Sequence, residues 1–123
     1  MSNPAVYFEI PVTDMHRAMV FYEEVFAFRF EQEQFDGIDM AYLPFDVQAS
    51  GISGALAKGD TYVPTTQGVL LYLFTNDIKQ SVARAIAAGA KLLYPVTSHD
   101  SIRVKVAEIE DSEGNRIGLH QKY

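Results

Sequence analysis

Two side chains near opposite ends of this sequence have the chemistry of a metal-binding or acid–base pair. Glu9 lies in an apolar run close to the start, and His120 lies in another run close to the end. A carboxylate and an imidazole can bind a first-row metal together, or the carboxylate can orient the imidazole as a general base. They can equally form an ordinary hydrogen bond or stay solvated at a cleft mouth. All of these alternatives stay open, but two protein ligands rarely make a tight metal site.

The elements that carry these side chains are short strands, in which successive side chains point to opposite faces. If Glu9 faces a cleft, Tyr7 does so as well, and the apolar residues around them face a helix. The same alternation places Gly118 beside His120 on the cleft face of the last strand. We expect Tyr7 and Tyr42 to line the cleft and to stack on a flat ligand. No phosphate-binding glycine loop, nucleotide fingerprint or Ser-His-Asp arrangement accompanies them.

The composition describes an acidic globular protein. The 123 residues are 48% hydrophobic and 21% charged, and this length suits a single domain. The absence of cysteine excludes disulfides, thiolate metal sites and a cysteine nucleophile. A net charge of −6 disfavours nucleic acid as a partner, and no apolar run is long enough to cross a membrane. Residues 1–12 do not resemble a signal peptide, so we predict a cytoplasmic location.

The order of elements occurs twice along the chain, which predicts an α+β fold made of two βαβββ modules. Each module starts with a strand, continues with a helix capped at Thr13 or Asp14, or at Asn76 or Asp77, and ends with three strands. The predicted strands are 6–11, 28–35, 39–45, 52–58, 69–74, 91–96, 102–110 and 115–120. Module 1 spans about 5–58, a linker 59–68, and module 2 about 69–123. We expect curved mixed sheets around a cleft, with the helices on the outer faces.

The two ends of the sequence carry a family resemblance. The segment 7–26, with Tyr7-Phe8-Glu9-Ile10-Pro11, and the closing segment 111–119, with Glu113-Gly114-Asn115, resemble the vicinal oxygen chelate superfamily. This group includes glyoxalase I, extradiol dioxygenases, fosfomycin-resistance enzymes and bleomycin-resistance proteins. The resemblance implies paired βαβββ modules and a homodimer. Ala27 replaces a glycine that is frequent in the family, so we expect the first helix to end differently here.

The resemblance also implies positions for a divalent metal, and these hold no ligands in this sequence. Counting back from the two helix caps places the first ligand position on Tyr7 and its equivalent on Leu71. The final glutamate position falls on Gly118, and the strand 52–58 contains no His, Asp or Glu. We therefore predict no metal or other cofactor. Tyr7, Glu9, Tyr42, Leu71, Gly118 and His120 are the expected ligand-binding residues, while Tyr72, one residue after Leu71, is expected in the core.

We expect a small-molecule-binding protein of the glyoxalase and bleomycin-resistance type. Whether it is an enzyme stays open. One alternative is a metal-dependent lyase, isomerase or dioxygenase with displaced ligands. The other is a metal-free enzyme that uses His120 and Glu9 for proton transfer.

Overall fold

The computed structural model describes residues 3–123, which form two helices and eight strands. In chain order the elements are β1 (Phe8–Pro11), α1 (Met15–Phe26), β2 (Glu31–Phe35), β3 (Ile38–Tyr42), β4 (Gly54–Lys58), β5 (Leu71–Phe74), α2 (Ile78–Ala87), β6 (Lys91–His99), β7 (Val104–Glu110) and β8 (Arg116–Lys122). The predicted order βαβββ–βαβββ is therefore confirmed. Neither helix in this part of the chain has the length and apolar character needed to cross a membrane.

The eight strands form two four-stranded mixed sheets with the same topology. The strand orders are β1-β4-β3-β2 and β5-β8-β7-β6. In each sheet the first strand pairs in parallel with the last strand of its module, and the other neighbours are antiparallel. The parallel pair requires a crossover, and the helix of the module supplies it. The α+β two-module fold predicted from the sequence is the fold observed.

An aspartate caps the start of each helix, and it is the second of the two candidate caps that the sequence offered for that helix. The side chains of Asp14 and Asp77 accept hydrogen bonds from the amides of Arg17 and Gln80, at 3.0 and 3.1 Å. Such bonds satisfy amides that have no partner inside the first turn of a helix. The helices then bury one stripe each against the sheets, including Tyr22 on α1 and Ile78 on α2.

The end of the first helix differs from our expectation. Ala27 has φ 60° and ψ 29°, which is the left-handed conformation, and its amide donates to the carbonyl of Glu23. The chain therefore uses the same helix ending that a glycine would favour, although alanine is strained there. The second helix ends with Gly89 at φ 97°, as predicted.

Every predicted strand differs from the observed strand at one end or both, by one to three residues, and two of these differences have a local cause. The second strand begins at Glu31, and the aromatic residues before it join a stack with the first helix. The rings of Phe26 and Phe28 lie 5.1 Å apart with 14° between their planes. The seventh strand begins at Val104 because Arg103, at φ 54°, belongs to the preceding turn.

The turn between β7 and β8 joins the two modules. The Oε1 atom of Glu113 accepts hydrogen bonds from the amides of Thr13 and Asp14, both at 2.9 Å, at the start of α1. Arg17 donates from Nε to Oε2 of Glu113 at 2.7 Å. Nearby, the buried hydroxyl of Tyr22 donates to Asp111 at 2.6 Å. A turn of the second module thus caps the helix of the first and fixes the modules to each other.

Candidate functional site

Each sheet has one face packed against the helices and one face turned away from them, which we call the open face. In the first sheet, Ile10, Ala41 and Leu56 point into the main core. The residues that alternate with them form a small separate cluster on the open face, built on Met40, Ala55 and Ala57. Ile38, Tyr42 and Tyr62 pack against that cluster. No helix of the described chain packs on the open faces.

Glu9 stands on the open face of the first sheet and is surrounded by tyrosines. Its Oε2 accepts a hydrogen bond from the hydroxyl of Tyr7 at 3.0 Å, and its Oε1 accepts one from Tyr62 at 2.7 Å. Tyr42 lies one strand further across the same face, because Ala55 pairs with Glu9 on one side and with Tyr42 on the other. We call Glu9, Tyr7, Tyr42 and Tyr62 the Glu9 cup. Glu9 faces away from the core while Ile10 points into it, as the alternation along the strand predicted.

Every tyrosine in the Glu9 cup is held in its neutral form. Burial, and then the hydrogen bond and charge of Glu9, raise the pKa of the Tyr7 hydroxyl. Hydrogen bonding to Glu9 raises the pKa of Tyr62, and hydrogen bonding to Glu33 raises that of Tyr42. At neutral pH these three hydroxyls therefore act as donors to carboxylates and not as phenolates.

The open face of the second sheet contains Tyr72 and His120. Their ring centroids lie 6.4 Å apart with 76° between the ring planes, which is an edge-to-face arrangement. Gly118 is beneath Tyr72, and a β-carbon at this position would lie 2.4 Å from a ring carbon of Tyr72. Gly118 and His120 thus share a face, as the alternation predicted.

The predicted faces of Leu71 and Tyr72 were both wrong, and one error explains both. Leu71 packs against the main core and not on the open face, while Tyr72 is 43% exposed on the open face. Asp14 and Asp77 are equivalent helix caps, so the equivalent of Tyr7 is Leu70, one residue before Leu71. A shift of one residue along a strand moves a side chain to the opposite face.

The structure does not pair Glu9 with His120. Both oxygens of Glu9 accept from tyrosine hydroxyls, and His120 lies beside Tyr72 on the other sheet. Within residues 3–123, no hydrogen bond joins the two. Of the alternatives that the sequence left open, this geometry does not support a hydrogen-bonded pair or an imidazole oriented by Glu9.

The residues at the family's metal positions do not fit a metal. Among residues 3–123 there is no group of three or more His, Cys, Asp or Glu side chains close enough to hold an ion. A catalytic zinc or similar ion needs about three protein ligands with positions left open for substrate. The hydroxyl groups that donate hydrogen bonds to Glu9 belong to tyrosines in their neutral form, and a neutral tyrosine is not a metal ligand.

A cavity of about 660 Å³ lies on the helix side of the molecule, away from the open faces. Arg17 and Glu113 form part of its wall, together with Phe21, Lys91 and the turn at Ser112. The polar groups of Glu113 and Arg17 in this wall already bond to each other and to the start of α1, which holds the two modules together. We therefore assign this cavity a structural role.

Sequence reasoning missed Tyr62, which belongs to the segment predicted as a linker. The segment between β4 and β5 folds back so that the Tyr62 amide donates to the carbonyl of Gly59 at 3.1 Å. This turn carries the ring to the open face, 53 residues from Glu9 in sequence. The only signal was a large aromatic residue among polar and turn-forming neighbours.

Comparison with protein-family models finds one match over most of the chain. Residues 5–119 match the model described as Glyoxalase/Bleomycin resistance protein/Dioxygenase superfamily. A search of the curated proteins found no match.

Solved structures share this fold at low sequence identity. A V278E mutant of glyoxalase I from Zea mays is 19% identical with a TM-score of 0.70, over 96% of this chain and 46% of that chain. This chain thus spans about half the length of the maize protein. TnmS3, an antibiotic binding protein from Streptomyces sp. CB03234, is 24% identical with a TM-score of 0.72, over 100% and 99% of the two chains. The fosfomycin resistance protein FosX from Listeria monocytogenes is 14% identical with a TM-score of 0.67, over 100% and 93%. At these identities the likeness concerns the fold alone.

Proposed function

This chain belongs to the Glyoxalase/Bleomycin resistance protein/Dioxygenase superfamily, and we propose that it binds a small organic molecule on the open faces of its two sheets. We propose also that it holds this molecule without a metal ion. The binding residues are those of the Glu9 cup on the first sheet, with Tyr72, Gly118 and His120 on the second.

The observation that carries the proposal is the amount of aromatic surface that the fold leaves uncovered on these faces. Phe74 is the register partner of His120 and alternates with Leu73 of the core, so it lies on the open face of the second sheet. Phe74 is 66% exposed, Tyr7 49% and Tyr72 43%, although each is large enough to fill a core position. Aromatic side chains that line a concave or unpartnered face, with a few polar groups among them, are typical of small-molecule sites. TnmS3, whose fold this chain shares over its whole length, is an antibiotic binding protein.

We propose further that the open faces are covered in a homodimer, as the family resemblance implies. An open face of one protomer would then meet an open face of its partner, and the ligand would lie between them. Large exposed apolar groups on a sheet face favour such a contact. Light scattering at working concentration checks this part, since a monomeric mass would contradict it.

The absence of a metal is supported by the chemistry of the side chains at the family's ligand positions. Tyr7 is a neutral phenol that donates its proton to Glu9, Leu70 has a hydrocarbon side chain, and Gly118 has no side chain. The metal-dependent alternative would need ligands from elsewhere. The metal-free enzyme would need His120 to act without Glu9, since that carboxylate is occupied by Tyr7 and Tyr62.

Binding on the open faces is tested with a matched pair of variants and a library of antibiotics and metabolites that includes bleomycin and fosfomycin. Compounds that raise Tm are titrated by calorimetry into the wild type, Phe74→Asp and Ile86→Asp. Ile86 is 49% exposed on helix α2, away from the open faces, and serves as the control. We expect binding to be lost in Phe74→Asp and kept in Ile86→Asp. A library without any binder, or binding that survives Phe74→Asp, would contradict the proposal.

A further inference from the structure

The four strands of the first sheet place charge of one sign only on its open face. Its outward side chains include Glu9 on β1 and, from the pairing of β2 with β3, Glu31 opposite Tyr42 and Glu33 opposite Met40. The cationic side chain nearest in sequence to the small cluster, Lys58, alternates with Ala57 and is therefore on the helix side. Only two ion pairs occur among residues 3–123, Arg17 with Glu113 and Arg116 with Glu108, and neither is on this face.

Aromatic rings gather most closely around one of these carboxylates, in the Glu9 cup. Small side chains under the rings allow this close arrangement. Ala55 and Ala57 are fully buried, and Tyr42 and Tyr62 pack against the cluster that contains these alanines. Both of these rings remain partly exposed, and Tyr7 is half-exposed beside them. Larger residues at 55 and 57 would lift the rings away from the sheet. The alanines therefore bring aromatic surface close to the Glu9 carboxylate.

The hydrogen bonds of the tyrosine hydroxyls determine which charge of ligand the Glu9 cup can bind. Tyr7 and Tyr62 use their hydroxyl protons on Glu9, so they leave the cup with aromatic rings and a negative carboxylate. An anionic ligand would be repelled by Glu9 and would find no outward cationic side chain on the four strands of this sheet. Arg116 on β8 lines a groove together with Glu9, but its guanidinium is paired with Glu108. A cation gains both from the carboxylate and from the negative faces of the rings, and a flat cation can stack on them as well.

We propose that the ligand of this protein carries a flat organic cation, such as a nitrogen heterocycle with a fixed positive charge or a protonated aryl amine, and that this group binds in the Glu9 cup. This inference rests on the proposed function, because it names the chemical class of the molecule bound on the open faces. Glu9 is the residue that distinguishes a cation from a neutral ring of the same shape.

The test uses two fluorescent probes of nearly the same shape, 10-methylacridinium, which is a permanent cation, and 10-methylacridone, which is neutral. Affinity is measured by fluorescence titration for the wild type, Glu9→Gln and Glu23→Gln. Glu23 is exposed on helix α1, so Glu23→Gln removes the same charge from the protein without touching the cup. Because the amide oxygen introduced by Glu9→Gln can still accept a hydrogen bond from a tyrosine hydroxyl, the fold of the cup is kept.

We expect the wild type to bind the cation about tenfold or more tightly than the neutral probe, as is usual for an added charge interaction of this kind. Glu9→Gln should remove that preference without changing the affinity for the neutral probe, and Glu23→Gln should leave both affinities as they are. Equal binding of the two probes, with loss of both in Phe74→Asp, would overturn the cation inference and leave the proposed function standing. Absence of binding by either probe would overturn the inference here, while the library experiment decides the proposed function separately.

Discussion

The ring of Tyr72 covers the backbone of Gly118 so closely that a β-carbon at position 118 would lie 2.4 Å from a ring carbon. Tyr72 and Gly118 are register partners on the parallel strands β5 and β8. Gly118 stands where the family resemblance implies a metal-binding glutamate, and it also has a packing role here. The lack of a side chain at 118 is what allows an aromatic ring to lie on the open face of the second sheet.

Gly118→Ala should destabilise the protein by about 1–3 kcal/mol, because the new methyl group forces the Tyr72 ring out of its place. Urea unfolding measures the loss. Tyr72→Ala removes the ring that the methyl group meets, so Gly118→Ala should cost much less in that background. Equal costs in both backgrounds would show that the ring is not what constrains position 118.

Ala27→Gly should stabilise the protein by about 1 kcal/mol, because glycine adopts the left-handed conformation of the helix end without strain. In thermal unfolding this is a rise in Tm of about 4 °C. Ala88 caps the second helix at φ −85°, where alanine is not strained, and is the matched control. Ala88→Gly should lower Tm, and a fall in Tm for both variants would mean that the first helix ends differently in solution.

Glu113→Ala should reduce the free energy of unfolding by about 2–3 kcal/mol at neutral pH, since it leaves the amides of Thr13 and Asp14 without their acceptor. Most of this cost comes from those amides, because Arg17 is half-exposed and surface ion pairs contribute little. Glu23→Gln, on an exposed helix position, should cost almost nothing. A loss of the same size in both variants would contradict the assignment of Glu113 as the link between modules.

The contribution of Glu113 should also depend on pH in a known direction. Burial on its own would raise the pKa of Glu113, but hydrogen bonds from Arg17 and from the amides of Asp14 and Thr13 outweigh it and lower the pKa from 4.5 to about 2. Because the pKa is lower in the folded state, the stabilisation is present above the unfolded value and is lost as the pH falls towards 2. The stability difference between wild type and Glu113→Ala, measured by urea unfolding, should thus be constant above about pH 5 and shrink below it. A difference that stays constant down to about pH 3 would be inconsistent with that shift.

Equilibrium dialysis against nickel, zinc, manganese and ferrous iron should leave far less than one metal ion per chain. The physical reason is the lack of three clustered ligand side chains among residues 3–123. The protein is purified without chelator or a metal affinity column, and the bound metal is measured by elemental analysis. Near one ion per chain, lost in Glu9→Gln or His120→Ala, would restore the metal-dependent alternative.

The sequence by itself determined the elements and their order. The apolar stripes, the two candidate caps before each helix and the turn at Gly114 are local signals, and each depends on residues a few positions apart. The alternation of Glu9 with Ile10, and of His120 with Leu119, also followed from local pattern because polar and apolar residues alternate there. In β5 and the residue before it, the run Leu70-Leu71-Tyr72-Leu73-Phe74 has no alternation of polar and apolar residues to mark the core face. The spacing from the cap at Asp77 was the remaining local signal, and it reaches Leu70 and not Leu71, which is why Leu71 and Tyr72 were assigned to the wrong sides.

Only the tertiary structure decided which side chains meet. Glu9 and His120 have complementary chemistry, but they lie on different sheets, and tyrosines occupy the Glu9 carboxylate. Tyr62 reaches Glu9 from a segment without regular structure, and Glu113 caps a helix about 100 residues before it in sequence. Contacts of this kind depend on how two separately folded modules pack and on the path of the loop between them. Local propensity contains no information on either, so the Glu9 cup and the link between the modules could not be derived from the residues alone.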